Sequence, residues 1–310
     1  MNFGGVINII HSRLLPYASS HYYHGRSPFK LLLNNSLLFL FRFILVKRPS
    51  RKLIKPTLNL KNTKIGKTAL ILGNGPSVDS LNMDAVKVFI DDVYCVNEFF
   101  NLKISKKIKW NNYVLSDPMS FSDKNFSLPE EFTDLLQKNG RRLFLPHWSA
   151  KAYPDLFSGM NVVYFDDRER TWFNRKISPA RPRNYTSVTL YKALAIACYQ
   201  GYSTIYILGL DNTEFLSYEG SHENVVYHNL NTYGAQSSSR QSLSMRDVFH
   251  SGMAGRMQSY SHLFGDLFKF KVFNIVNLDQ SSLTDAFPKI EPDHELSVPR
   301  KIDSNSSRKR

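Results

Sequence analysis

Cysteine is nearly absent from this chain: Cys95 and Cys198 are the only two in 310 residues. Two thiols exclude a disulfide framework, and each lies in an apolar run, so both read as reduced core residues of a cytoplasmic protein. Acid is also scarce, with 26 Asp and Glu against 40 Lys and Arg, a net charge of +14 and a pI near 9.6. A surface of that sign favours polyanions. Paired Cys/His ligands and an aromatic RNP-like strand are both missing, which disfavours nucleic acid as the partner. Nucleotide phosphates and an anionic membrane remain, and the especially basic N-terminal region points to the membrane.

No uninterrupted apolar run reaches the roughly 20 residues of a spanning helix. Phe29 to Val46 comes nearest, as two leucine-rich blocks divided by Asn34-Asn35-Ser36, with Arg42 inside the second. An arginine at the centre of a span costs about 2.5–3.5 kcal/mol. Phe29, Leu33, Leu37, Leu40, Phe41 and Ile44 recur at helical spacing, and Lys47, Arg48, Arg51, Lys52 and Lys55 follow at once. The block reads as an interfacial anchor with a polybasic flank or as a helix packed on the main domain. A secretory signal is disfavoured, because the block starts late and no small-residue cleavage site follows.

Core-forming material is present in quantity, at 42% hydrophobic and 13% aromatic residues. Three regions are expected: a basic, hydrophobic extension over residues 1–60, one α/β domain over 61–292, and a disordered basic tail over 293–310. Lys55 to Gly66 reads as a linker. Beyond it, strands are expected at Thr68–Leu72, Asp92–Val96, Lys109–Leu115, Arg142–Leu145, Thr204–Leu208 and Lys271–Val276. Helices are expected near Val78–Val86, at Thr186–Tyr199 with one apolar face and Gly201 as its stop, and at Ala254–Phe268. Alternating strands and helices imply a doubly wound, mostly parallel sheet. Residues 212–249 are polar and lack apolar periodicity, so they read as a lid.

The first expected strand runs into Gly73-Asn74-Gly75-Pro76-Ser77. Glycines there permit positive φ and let backbone N–H groups approach a phosphate, with a helix N-terminus behind them. The third glycine of a dinucleotide fingerprint is missing, since Val78 holds its place. In an open α/β sheet, ligands bind beyond the carboxyl ends of the strands. Asn97, Asp117 and Asp211 all fall at such ends. Arg181 to Ser187 leads into the long helix, with Thr186 or Ser187 as its cap and Arg183 near enough to pair an anion. Asp91-Asp92 and Asp166-Asp167 are the nearest approximations to a metal-holding Asp-x-Asp, and both read as solvated; no metal is expected.

Leu72 to Ser77, Cys95-Val96-Asn97-Glu98-Phe99, Thr186-Ser187 with its Ala-rich helix, and Gly201-Tyr202 through Asp211 occur here in a familiar order. Together they resemble glycosyltransferase family 42, the bacterial α-2,3/2,8-sialyltransferases that use CMP-N-acetylneuraminic acid, over roughly Lys67 to Asn277. The glycine loop and the Ala-rich helix plus strand are also similar to those of flagellin-glycosylation proteins and archaeal pterin diphosphokinases. The resemblance implies a Rossmann-like sheet, a variant of the GT-A architecture. It implies that Asn74 and Asn97 hold the donor nucleotide and that Thr186 and Ser187 contact the donor; Gly73, Gly75 and Ser77 of the loop and Asp117 and Asp211 at the strand ends complete the expected donor site. The family's general base corresponds best to His250, with His228 in the lid as the alternative. Tyr218 matches one of two lid tyrosines beside the leaving phosphate, and Thr213 stands where the other would be. Asp117 replaces an asparagine, and Asn184 takes the place of an arginine beside which Arg183 lies.

The implied reaction is inverting, metal-independent displacement at the anomeric carbon of a CMP-activated sialic acid or related nonulosonic acid. His250 would deprotonate an acceptor hydroxyl, while Tyr218, with Arg183 or Arg246, would stabilise the departing phosphate oxygen. The acceptor would be a cell-surface glycan, lipid-linked as in lipopolysaccharide biosynthesis, met by a peripheral protein at the inner membrane. A homo-oligomer is compatible with all of this. Two other readings stand beside it: a pterin-type diphosphokinase, and a non-catalytic nucleotide-binding accessory to glycosylation.

Overall fold

Residues 49–80, 89–117, 128–138, 140–168, 177–183, 188–210, 270, 273–282, 284 and 286–290 are described by a computed structural model. The expectations for Phe29–Val46, the lid, the helix Ala254–Phe268 and the tail lie outside these residues.

The described chain opens on helix α1, Arg51–Leu58, capped by Ser50, whose hydroxyl accepts the Leu53 N–H at 3.2 Å. Next come strand β1, Thr68–Leu72, a single 3-10 turn at Pro76–Ser80, and β2, Asp92–Val96. β3 is Asn112–Val114, α2 is Glu130–Lys138 and β4 is Arg142–Pro146. The short helix α3, Ser149–Ala152, precedes β5, Asn161–Phe165. The long helix α4, Thr189–Gln200, leads into β6, Thr204–Leu208, and β7 is Ile275–Asn277.

These seven strands form one sheet in the order β5-β4-β3-β2-β1-β6-β7, with every pairing parallel. The doubly wound α/β expectation holds. Strand order runs outward from β1 to β5 and then returns to β6 on the other side of β1. The β1/β6 boundary is therefore the topological switch point, where such sheets bind ligands. Side chains of each strand alternate between two cores. Ala69, Ile71, Tyr94, Val96, Ile205 and Ile207 pack with α4, while Leu70, Leu72, Cys95, Leu115, Leu145 and Leu208 pack with Phe99, Trp110 and Phe132. Covered on both faces, the strands read as continuous apolar runs. Both cysteines are buried and free.

Two expectations are corrected here. Lys55 to Gly66 is no linker: α1 and the turns after it are fastened to the sheet. Thr57 Oγ1 donates to Tyr164 O at 2.5 Å, Asn62 N to Tyr199 O at 3.0 Å and Lys64 N to Gln200 O at 2.8 Å. Helix α4 has no single apolar face. Eleven of its twelve residues are buried, Lys192 among them. It starts at Thr189 with Val188 in the cap position and no side-chain cap bond, and Thr186 and Ser187, expected as its cap, lie outside the described residues; Gly201, at φ 81°, ends it as expected. Among the described residues no helix is long and apolar enough to cross a membrane.

At the amino edge of the sheet, Asp92 is only 5% exposed, not solvated as the sequence suggests. Its carboxylate pairs with Lys64 Nζ at 2.7 Å and accepts from Tyr202 Oη at 2.7 Å and from the Asn111 amide. Tyr202 Oη in turn lies 3.2 Å from Tyr94 Oη, which accepts from Gln200 Nε2 at 2.5 Å. Burial acts to raise the Asp92 pKa, but the bonds from Lys64, Tyr202 and Asn111 outweigh it and hold the carboxyl below its ordinary value. A depressed folded pKa adds stability that is complete above the unfolded value of about 3.9 and is lost as pH falls through the folded one. Asp92→Asn should therefore cost about 1–3 kcal/mol near neutrality. It should also flatten the acid limb below pH about 4 in urea titrations; an unchanged acid limb would refute this account.

Candidate functional site

The glycine loop lies at the switch point, and its glycines serve close packing. Gly73 is not in the left-handed region, contrary to the expectation that its freedom of φ matters. A Cβ there would stand 2.3 Å from Gly209 O and 2.8 Å from Leu190 Cδ1. Gly209, at φ +80°, meets it from the other side: its own Cβ would stand 2.8 Å from Gly73 C and 2.6 Å from Val78 Cγ2. Backbone abuts backbone here. Gly73 N donates to Leu208 O at 2.8 Å, Gly75 N to Gly209 O at 3.1 Å and Gly209 N to Ser77 Oγ at 3.0 Å. The N–H groups of Gly73 and Gly75 are thus committed within the protein and do not form the phosphate cradle expected of them. They bring β1 and β6 into close approach at the turn that carries Asn74.

Asn74 is half-buried, and its Oδ1 is fully buried with no hydrogen-bond partner among the described residues. An unsatisfied buried acceptor costs about 1–3 kcal/mol, and such a group in a native site calls for a donor from elsewhere.

Asn97 ends β2 in the left-handed region, at φ 47°. Asparagine tolerates this better than other non-glycine residues, and such outliers gather at functional sites. The conformation is held from the neighbouring strand. Tyr113 Oη donates to Asn97 O at 2.6 Å, and Ser116 N donates to Asn97 Oδ1 at 3.3 Å. Ser116 Oγ then lies 2.8 Å from Thr189 Oγ1 at the start of α4. Half-buried Asp117 follows directly. The tips of β2 and β3 and the start of α4 are thus one hydrogen-bonded unit.

Beyond β4 and β5, the second Asp pair proves buried too, correcting its reading as a solvated turn. Asp166 is 3% exposed and receives a bidentate pair from Arg168, Nε at 2.9 Å and Nη2 at 2.7 Å. Asp167 sits between two cations. Lys192 Nζ is 2.9 Å from its Oδ1 and donates to Oδ2 at 3.1 Å, and Arg183 Nε is 3.2 Å from Oδ1. Trp148 Nε1 adds a bond to Oδ2 at 3.3 Å. Lys192, 1% exposed, has its pKa lowered by burial, against the pull of Asp167 and Asp117 and with the push of Arg183. His147 Nδ1 accepts the Asp167 N–H at 3.2 Å, which makes the imidazole neutral; burial lowers its pKa in the same sense. Its 3.9 Å approach to Asp166 is therefore not an ion pair. Arg183, expected to meet a substrate anion, is 9% exposed and holds an anion of its own chain.

No protein-family model matches the chain, and no curated protein matches it by sequence. Among the solved structures similar to it are two glycosyltransferases. One is the Maf glycosyltransferase from Magnetospirillum magneticum AMB-1, at 15% identity over 67% of this chain, with a TM-score of 0.34. The match spans 36% of that protein's chain, little more than a third of its length. The other is the sialyltransferase CstII from Campylobacter jejuni in complex with a substrate analogue, cytidine-5'-monophosphate. It is 18% identical over 53% of this chain and 83% of its own, with a TM-score of 0.30. At these values neither match bears on chemistry.

The residues read from the sequence as a site divide into two groups. Gly73, Asn74, Gly75, Ser77, Asn97, Asp117 and Arg183 are all placed at the carboxyl edge of the sheet or against the start of α4. His250, His228, Tyr218, Thr213, Arg246, Asn184, Thr186, Ser187 and Asp211 lie outside the described residues. Sequence reading missed Ser116, Thr189, His147, Trp148, Asp167 and Lys192. Only Lys192 carries a signal in one dimension, as the one charged residue of an otherwise apolar helical run.

Proposed function

We propose that the chain is a glycosyltransferase that moves a sialic acid, or a related nonulosonic acid, from a CMP-activated donor to a glycan hydroxyl with inversion. The observation that carries this reading is the buried, unpartnered amide oxygen of Asn74 at the switch point, flanked by the strained Asn97. An acceptor poised in that place suits the exocyclic amine or ribose hydroxyl of a nucleotide. The sequence resemblance to family 42 adds the choice of nucleotide and sugar. In this reading His250 is the general base, with His228 as its rival, and Tyr218 stabilises the leaving phosphate. No metal takes part.

Donor screening tests it. Incubation with CMP-sialic acid and a panel of glycans should release CMP, and EDTA should not slow the release. Phosphoryl transfer from ATP to a pterin would replace the proposal with a diphosphokinase. Binding of CMP without turnover of any donor would make the chain an accessory protein. Of His250→Ala and His228→Ala, the base is the one whose loss stops turnover while CMP still raises the melting temperature.

Asn74→Ala gives a sharper outcome. Removing an acceptor satisfied only by ligand should weaken CMP binding about five- to thirtyfold, the worth of about 1–2 kcal/mol. Stability of the free protein should stay level or rise, because an unsatisfied group disappears. Calorimetric titration beside thermal melts checks both; a variant that melts earlier yet binds CMP normally would show Asn74 to be structural.

A further inference from the structure

We propose that α1 and the turns after it form a docking face for an anionic lipid bilayer. The first acid in the chain is Asp79, and twelve Lys and Arg precede it. Within that acid-free stretch, residues 49–67 precede the first strand, and their basic side chains are mostly turned outward. Arg51, Lys52, Lys55, Lys61 and Lys67 are all exposed, while Lys64 is drawn inward to Asp92. Among them stand two large apolar side chains, Leu58 at 45% and Ile65 at 71% exposed. Both sit beside the end of α4: Tyr199 Oη donates to Leu58 O at 3.4 Å, and Ile65 Cγ1 would be 3.3 Å from a Cβ on Gly201.

Cations alone would suit any polyanion. Protruding Leu and Ile within the same cationic field suit lipid, where the apolar groups enter the acyl boundary and the lysines meet headgroups. Nucleic acid offers phosphates but no place for an Ile that is mostly in water. Continuity supports the same partner, since the leucine-rich block Phe29 to Val46 ends four residues before Ser50. The position also leaves the donor site open. Lys67 N-terminally adjoins β1, and Gly73 follows that strand's far end, so Lys67 and Gly73 are separated by about 16–20 Å of strand.

Cosedimentation of the full chain with phosphatidylcholine vesicles, with and without phosphatidylglycerol, tests the face. The chain should bind the anionic vesicles and not the neutral ones. The triple variant Lys52→Ser/Lys55→Ser/Lys61→Ser should lose about a hundredfold in affinity at low salt, since each surface cation is worth about fivefold. The pair Leu58→Gln/Ile65→Gln should lose about tenfold, and that loss should persist at high salt, because burial of apolar surface is not screened. All five side chains are exposed, so circular dichroism and melting temperature should match those of the unaltered chain. Full binding by both variants would assign membrane contact to another part of the chain and overturn the proposal. Equal binding to neutral vesicles, or duplex DNA competing the vesicles off the unaltered chain, would overturn it as well.

Discussion

Replacing Gly73 by alanine should destabilise the fold by about 4 kcal/mol or more, beyond the 1–3 kcal/mol of ordinary overpacking. The reason is what the added methyl would meet. At 2.3 Å from Gly209 O and 2.9 Å from Gly209 C, its neighbours are backbone atoms of the adjoining segment, which cannot rotate away as a side chain can. Relief would require β1 and β6 to part at the switch point. That would break the bonds from Gly73 N to Leu208 O and from Gly75 N to Gly209 O. Gly140→Ala is the matched control. Nothing lies within 4 Å of its Cβ, and the left-handed φ of 61° is the sole obstacle, worth about 1–2 kcal/mol. Urea unfolding of the two variants should separate them by at least 2 kcal/mol, estimated from those two figures. Equal losses would mean that the loop is free to shift, and the close approach of β1 and β6 would not be what demands glycine at position 73.

The same pair of glycines marks where sequence reading succeeds and where it stops. Thr68–Leu72, Asp92–Val96 and Thr204–Leu208 are legible to the residue, because a strand buried on both faces is a short apolar run and little else resembles it. β5 is not legible. It lies at the edge of the sheet with Asn161 exposed and Val162 and Tyr164 half-buried, so its run is diluted. α1 is hidden by Pro56 and by the lack of any acid in its first turn, which make a helix look like a tether. At the site, Gly73, Asn74 and Asn97 are legible because a motif and a topological rule meet there. What those residues do is not. Glycine is read as freedom of φ, whereas contact with Gly209, far along the chain, is what requires it. The acidic run Asp166-Asp167 looks solvated because its counter-ion Lys192 is 25 residues away, on a helix that only the fold brings near.

That counter-ion pair supplies the second large effect. Asp167→Asn should destabilise the protein by about 3–5 kcal/mol at neutral pH, because removing one partner leaves the Lys192 ammonium buried and uncompensated. The pH dependence distinguishes this cause from mere loss of packing. Burial already lowers the Lys192 pKa, with Asp167 acting to restore it. Without that carboxylate the folded pKa should fall further below the unfolded value of about 10.4. Between those two values the unfolded chain binds the proton and the folded chain does not, so stability of the variant rises with pH across that window. Lys192→Met in the unaltered background should cost less, because Arg183 Nε, 3.2 Å from Oδ1, and Trp148 Nε1 still compensate the Asp167 carboxylate. Joining the two changes should recover the part of the loss that Lys192 causes, since the buried ammonium and its counter-ion leave together, while Arg183 loses its carboxylate partner and keeps only its 3.2 Å bond to the Asp167 carbonyl. Arg183 ends the described segment that precedes α4, and its Nε is held by Asp167, so the pair also sets where that guanidinium stands at the carboxyl edge. The double variant should thus be more stable than Asp167→Asn alone. Additive losses in the double variant, or a flat pH profile for Asp167→Asn, would show that the cluster contributes packing alone.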